Sequence, residues 1–196
     1  MPDSTLLRFV QLLPNVPAAG GFLLRDLPGS GKRIDILCRD LAACFDWGPT
    51  SWERNQLEFI AVLEDDVTLR FRNMPGRESI GEAAWAELIK QVLKGLPIEG
   101  IEIRQQTLAD LIEEMLAEEG SRVLVLDEKG DRLPNEVETS QFTKNSFMLG
   151  DHRGFDSQTE ELFASHGLER VSLGGKSYLS SHCVAAIISR FERLSR

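Results

Sequence analysis

The chain has 196 residues, enough for one or two domains with a buried core, and its 42% hydrophobic and 27% charged residues are ordinary for a globular protein. A net charge of -9 argues against indiscriminate nucleic-acid binding, although residues 22–39 carry four basic against two acidic side chains. No apolar stretch approaches a membrane span, and the first residues lack a secretory signal. The three cysteines form no CxxC pair, and the histidines lack zinc-type spacing with them. We therefore expect a reduced cytoplasmic protein with no membrane partner and no metal.

Apolar periodicity predicts strands that alternate with helices along the chain. The expected strands cover residues 5–12, 57–63, 69–71, 101–104, 122–126, 147–149 and 170–173. Helical stripes cover residues 34–45, 84–92, 108–116 and 179–194, and a further helix begins with capping-box spacing between Ser157 and Glu160. Residues 127–130 predict a turn, and residues 129–144 predict a mobile excursion. This alternation is typical of an α/β layer fold with a mainly parallel sheet.

A glycine-rich stretch at residues 26–33 has the look of a phosphate-binding loop. That loop needs a glycine five places before its Gly-Lys pair and a Ser or Thr after the lysine, to hold magnesium. Asp26 and Arg33 occupy those positions here. No GxGxxG pattern follows a predicted strand either, so the dinucleotide fingerprint is absent from the sequence.

Three predicted strands end in residues that favour an exposed backbone. The ends are Leu126, Leu149-Gly150 and Leu173-Gly174-Gly175. In a parallel α/β sheet, ligands bind beyond the carboxyl ends of the strands, so these ends predict a pocket of backbone groups and apolar side chains suited to an adenine and a ribose. The alternative is that they are ordinary glycine-containing turns that bind no ligand.

Three sequence blocks carry a resemblance to a known family. They are Asp26–Ser30 (DLPGS) with Arg33–Arg39 (RIDILCR), Phe147–His152 (FMLGDH), and Arg170–Leu173 (RVSL) with His182-Cys183 beyond it. In this order and spacing they resemble the signatures of SPOUT-class RNA methyltransferases. The closest similarity is to the tRNA pseudouridine-54 N1-methyltransferases of the TrmY family, and weaker similarity covers most of the chain.

The resemblance implies one domain over residues 1–196, with a deep C-terminal trefoil knot that holds S-adenosylmethionine (SAM) in residues 120–196. It also implies a homodimer and a tRNA substrate. Asp151 would either balance the sulfonium charge or cap a turn. Cys183 would line the pocket as a core residue, because methylation of a ring nitrogen needs no cysteine nucleophile. The implied cofactor pocket is lined by Leu126, Leu149, Gly150, Asp151, Leu173, Gly174, Tyr178, Leu179 and Cys183.

Charged residues around the first helix would handle the RNA. Asp35 would accept or polarise the N1 proton of the base, with Arg33 beside it; the alternative is an ordinary ion pair between Asp35 and Arg39 at i+4. Arg25, Lys32 and Arg39 would hold phosphates, or they are ordinary surface charge.

The chain departs from the family pattern at residues 46–54 and 80–84, and Ser181 stands where asparagine is expected. Two other hypotheses therefore stay open. One is a non-catalytic knotted protein that binds the cofactor or RNA. The other is the same chemistry on ribosomal RNA, as in the related Nep1 proteins.

Overall fold

The computed structural model describes residues 5–47, 54–64, 66–76, 80–132 and 142–194. In this part of the chain, seven strands form one sheet in the order β4-β3-β2-β1-β6-β5-β7. Pairing is parallel from β2 through β1, β6 and β5 to β7, and antiparallel between β2, β3 and β4. The predicted α/β fold with a mainly parallel sheet is confirmed. The strands are β1 (Leu6–Leu13), β2 (Leu57–Leu63), β3 (Val67–Arg72), β4 (Ile101–Gln105), β5 (Ser121–Arg132), β6 (Lys144–Leu149) and β7 (Glu169–Ser172).

Helices cover both faces of the sheet. Side chains of α2, α3 and α6 pack with Leu7 and Phe9 on one face, whereas those of α4 and α5 pack with Val10 and Leu12 on the other. Side chains along β1 thus alternate between the two faces of the sheet, and the sheet lies between two layers of helices. The helices are α1 (Leu27–Ser30), α2 (Ile34–Leu41, continued by a π-helical turn at Ala42–Asp46), α3 (Glu82–Leu93), α4 (Leu108–Ala117), α5 (Ser157–Ser165) and α6 (Ser180–Leu194).

Buried ion pairs hold α4 on the sheet. Arg8 of β1 and Arg70 of β3 flank Glu58 of β2, and all three residues are buried. Arg70 also binds Glu114 of α4 at 2.7 Å, and Arg8 binds Glu118 just beyond it at 3.0 Å. Each buried arginine therefore pairs with Glu58 in the sheet and with one carboxylate on or just beyond α4, so the cluster ties this helix to the sheet.

Two local predictions need correction. Residues 127–130 are not a terminal turn but an irregular part of β5, because Leu126 and Asp131 both pair with Val171 of β7. The helix α5 is capped by Asp156 rather than Ser157, since the Asp156 carboxylate accepts a bond from the backbone N–H of Thr159 at 2.8 Å. Of the predicted mobile excursion, residues 133–141 lie outside the described residues.

Candidate active site

A cavity of about 860 Å³ lies at the carboxyl ends of β5, β6 and β7. Strand ends, the loop after β6 and the start of α6 form most of its wall, which is where a parallel sheet places its ligands. All nine positions implied for the cofactor lie on this wall, and their role in binding stays a prediction. They are Leu126, Leu149, Gly150, Asp151, Leu173, Gly174, Tyr178, Leu179 and Cys183.

The loop after β6 closes on itself through backbone bonds. The Gly154 N–H donates to the Asp151 carbonyl at 3.0 Å, and the Asp151 carboxylate accepts from the Arg153 N–H at 2.7 Å. Asp151 therefore caps this turn, as one of the two predicted roles had it. A Cβ on Gly150 would lie 2.9 Å from the Gly154 backbone, so the glycine is required by the returning loop itself.

An ion-pair cluster that the sequence did not single out lies at the β5–β7 edge of the cavity. Arg170 binds Asp127 at 2.7 Å and also binds Glu160 of α5. The pKa of Asp127 is lowered, first by the hydrogen bond from the Lys129 N–H and then by Arg170. Both carboxylates of the cluster lie on the cavity wall. The only signal in the sequence was the acidity of the segment around Asp127.

Helix α2 and the residue before it add Arg33, Ile36, Arg39 and Asp40 to the cavity wall. The Arg33 guanidinium donates to both Asp35 carboxylate oxygens, at 3.0 and 3.2 Å, and Arg39 binds the same carboxylate. The hydrogen bond with Asp35 raises the pKa of Arg33. Asp35 is buried behind this wall, so the ion pair with Arg39 that was the alternative to catalysis is present.

The other predicted RNA-binding residues lie away from the cavity. Arg25 and Lys32 are exposed on the segment that leads into α2, and neither lies on the cavity wall. In the same segment the Asp26 carboxylate accepts the backbone N–H groups of Gly29 and Ser30. Those two N–H groups, which a phosphate loop would offer to its ligand, are already paired here.

Asp40 is a buried acid on the cavity wall that the sequence analysis missed. Its Oδ1 accepts a bond from the Ser180 hydroxyl at 2.8 Å, and its Oδ2 has no partner among the described residues. Burial raises the pKa of Asp40 to about 8. The helical pattern puts Asp40 on the polar face with Asp35 and Arg39, away from the apolar stripe, so nothing in the sequence marks it as buried.

A family model for SAM-dependent RNA methyltransferases matches residues 6–195. The chain belongs to this family. It is 30% identical to the tRNA (pseudouridine(54)-N(1))-methyltransferase of Methanococcoides burtonii, over 94% of this chain and 95% of that protein. It is 34% identical to the enzyme of that name from Thermococcus onnurineus, over 85% and 87%.

Solved structures show the same fold at lower sequence identity. Nep1 of Archaeoglobus fulgidus, bound to S-adenosylhomocysteine, has a TM-score of 0.66 and 15% identity, over 98% of this chain and 99% of that one. A ribosomal RNA small subunit methyltransferase E from Neisseria gonorrhoeae, bound to S-adenosyl methionine, has a TM-score of 0.50 and 14% identity, over 97% and 66%.

The two segments of this methyltransferase that depart from the family pattern contact each other. The Asp46 carboxylate accepts bonds from the Gly81 N–H at 2.8 Å and from the Trp85 indole N–H at 2.9 Å. The end of the π-helical turn is thereby fixed to the start of α3. Residues 48–53 of the first segment lie outside the described residues.

The thiol of Cys183 serves as part of the wall. Burial raises its pKa to about 11, so it stays protonated near neutral pH and is a poor nucleophile. Within the described ranges of this methyltransferase, no three His, Cys, Asp or Glu side chains are grouped to hold a metal ion. The same residues include no helix that is long and apolar enough to cross a membrane.

Proposed function

We propose that this protein transfers the methyl group of SAM to N1 of pseudouridine in tRNA, at position 54 of the T-loop. The observation that carries the proposal is that all nine implied cofactor positions lie on the wall of one cavity, in a chain of this family. Relatives about 30% identical over most of the chain, which bear the name of that activity, support the choice of substrate.

The cavity suits the cofactor in size and lining. Its volume of about 860 Å³ is within the range of small-molecule sites. Leu126, Leu149 and Leu173 give it apolar walls at the strand ends, as a purine requires, and Asp127 and Glu160 place carboxylates at one edge. When bound, SAM supplies an electrophilic methyl group on a sulfonium.

Arg33 is the residue that we propose to act at the RNA side. It lies on the cavity wall and donates two hydrogen bonds to a buried carboxylate that holds it in place, so its guanidinium can hold an RNA phosphate or the base in line with the cofactor. Asp35 then acts through Arg33, as a positioning residue. A direct role of Asp35 on the N1 proton requires Arg33 or Arg39 to release one of its oxygens.

The finer architecture is part of the proposal. We propose that the chain is one knotted domain, with the cofactor held in residues 120–196. The interrupted β5–β7 ladder supports this, because Gly130 lies against the Arg170–Val171 backbone. We also propose a cytoplasmic homodimer in which the half-exposed Tyr178 and Leu179 at the cavity are covered by the second copy. Light scattering of the purified protein tests the pairing.

Calorimetric titration with SAM tests the cofactor site. We expect saturable binding at one site per chain in protein freed of copurified cofactor. A folded protein that binds neither SAM nor S-adenosylhomocysteine would refute the proposed function. Binding without methylation of any tRNA would instead favour the non-catalytic hypothesis.

Paired tRNA transcripts test the substrate. One carries pseudouridine at position 54 and its control carries uridine, which has no N1–H to replace. We expect mass spectrometry to find a methyl group on the first transcript alone. Because Arg33 and its neighbours would contact phosphates, tRNA binding should weaken steeply as salt rises. Equal methylation of both transcripts would rule out N1 of pseudouridine as the target.

A further inference from the structure

A glutamine lies fully buried in the central strand β1. Gln11 has no exposed surface, and the alternation of side chains along β1 places it on the same face of the sheet as Phe9 and Leu13. Strands flank β1 on both sides, and the paired neighbours of Gln11 are Ala61 of β2 and Leu149 of β6. Burying an amide among apolar side chains destabilises the folded state unless hydrogen bonds compensate. The hydrogen bonds of Gln11 therefore indicate what the residue does.

The side-chain amide of Gln11 holds the start of the loop after β6. Its Nε2 donates to the Gly150 carbonyl at 2.8 Å and to the Leu12 carbonyl at 3.2 Å. Both partners are acceptors, so the NH₂ group of the amide must face them. Its Oε1 is left buried with no partner among the described residues. The shorter of the two bonds thus joins a buried side chain to a residue of the cavity wall.

The backbone ladder between β1 and β6 ends where this bond begins. The two strands pair in parallel up to Gln11 and Leu149, and β1 then continues beside β2. Gly150 is the first residue of the chain past that ladder. The Gln11 side chain therefore fixes one residue more than the backbone pairing does.

Holding the Gly150 carbonyl sets the orientation of the peptide unit that follows it. The unit between Gly150 and Asp151 is planar, so its N–H points away from the carbonyl that Gln11 holds. Glycine has a wider choice of backbone angles than other residues, so without this bond the unit is free to turn. Asp151 then begins the turn that the Gly154 N–H closes at 3.0 Å. Because Gly150, Asp151 and Gly154 all lie on the cavity wall, the bond shapes that part of the wall.

We propose that Gln11 is a positioning residue for the cofactor, which sets the affinity for SAM by holding the Gly150 carbonyl and with it the loop after β6. The inference rests on the proposed function, which puts SAM in this cavity. Gly150 and Asp151 are two of the nine implied cofactor positions, and the bond from Gln11 acts directly on the peptide unit between them. Gln11 itself is fully buried and acts through these residues rather than by contact with SAM.

A role in core stability alone does not account for a glutamine at this position. An apolar side chain of similar length would fill the same space without leaving Oε1 buried and unpaired. Gly150 is only partly buried, so its carbonyl can bond to water if the Gln11 donor is removed. What the glutamine adds over an apolar residue is a fixed direction for the Gly150 carbonyl.

Gln11→Met tests the proposal, because it removes the donor and keeps an unbranched side chain of similar length. In calorimetric titration with SAM, the dissociation constant of this variant should be at least about tenfold higher than that of the wild type, the loss expected for one well-placed hydrogen bond. Turnover at saturating SAM should stay within about threefold of the wild type, since Arg33 is unchanged, so the effect falls on the KM for SAM.

Thr68→Val is the matched control, because it also removes a buried side-chain hydrogen bond from the sheet. Thr68 is fully buried in β3, and its hydroxyl donates to Gln106 at 3.3 Å, away from the cavity wall. Its SAM affinity should equal that of the wild type. In urea, Gln11→Met should unfold at no lower concentration than Thr68→Val.

The outcomes separate the two proposals. Equal SAM affinities of Gln11→Met and the wild type would overturn the role of Gln11 and leave the proposed function standing. An equal loss of affinity in Thr68→Val would also overturn it, since any weakening of the sheet would then have the same effect. Gln11→Leu is the second variant, and if neither it nor Gln11→Met unfolds cooperatively in urea, Gln11 is a structural core residue and the inference fails. A wild type that does not bind SAM would overturn the proposed function and this inference with it.

Discussion

Replacing Asp40 by asparagine should stabilise the protein increasingly as pH rises. In the unfolded chain this carboxyl group ionises near its ordinary pKa of 3.8, whereas in the folded protein it keeps its proton up to about pH 8. Between these values the folded state binds more protons than the unfolded state, so the free energy of unfolding of the wild type falls as pH increases. Asparagine keeps an acceptor for Ser180 but has no proton to lose.

The magnitude follows from the size of the interval. Each pH unit inside it corresponds to about 1.4 kcal/mol for one fully coupled proton. From about pH 5.5 to pH 7.5, the difference in the free energy of unfolding between Asp40→Asn and the wild type should therefore grow by roughly 2–3 kcal/mol. The remaining pH dependence is common to both proteins and cancels in the difference.

Urea denaturation of both proteins at several pH values measures this difference, with the slope m checked for equality. Asp151→Asn is a control on the same cavity, because it changes a different carboxylate, the one that accepts the Arg153 backbone N–H in the loop after β6. If the difference in the free energy of unfolding between the two proteins stays constant from about pH 5.5 to pH 7.5, the reasoning is refuted. That result would mean that water or a cation reaches Oδ2 of Asp40.

Three further substitutions test the site and the fold. Asp35→Asn should lower turnover at least about tenfold and leave SAM affinity unchanged, because it releases Arg33, which is not among the nine implied cofactor positions. Wild-type turnover would remove Asp35 from the mechanism. Gly150→Ala should weaken SAM binding at least about tenfold in calorimetry, because the new Cβ displaces the loop at Gly154. Gly175→Ala is the control and should keep the wild-type affinity, since Gly175 has open space around it. Equal affinities of the two variants would show that the loop adapts. Gly130→Ala places a Cβ 2.7 Å from the Val171 nitrogen and should lower the free energy of unfolding by about 1–3 kcal/mol in urea. An unchanged midpoint would argue against a tight contact between β5 and β7 at this irregularity.

The elements and the cavity wall were predictable because they depend on local patterns. The apolar run predicted as a strand at residues 57–63 is β2 to the residue, and the helix predicted at residues 108–116 is α4 with one further residue at its end. Strand ends followed by glycines, such as Leu149-Gly150, mark a position along the chain, and the parallel sheet brings such ends together. The resemblance to the family named the same positions from matching residues alone.

Local patterns also explain the errors. Asp127–Gly130 has the composition of a turn, and Lys129 does donate to the Asp127 side chain at 2.9 Å. The chain nevertheless continues as a strand, because β7 pairs with it on both sides of the irregularity. Pairing with a strand about 40 residues away in sequence outweighed the local turn preference.

The sequence by itself determined which segments are strands and helices, where the strand ends offer an exposed backbone, and which family the motifs resemble. Only the tertiary structure decided that Asp40 is buried beside Ser180, that Asp35 is held between Arg33 and Arg39, and that Arg8, Glu58 and Arg70 form a buried ion cluster. Sequence periodicity reports which side of an element is apolar, because side chains repeat every two or 3.6 residues. It does not report what stands opposite, since Asp40 and Ser180 meet across 140 positions through the sheet order and the packing of α2 against α6.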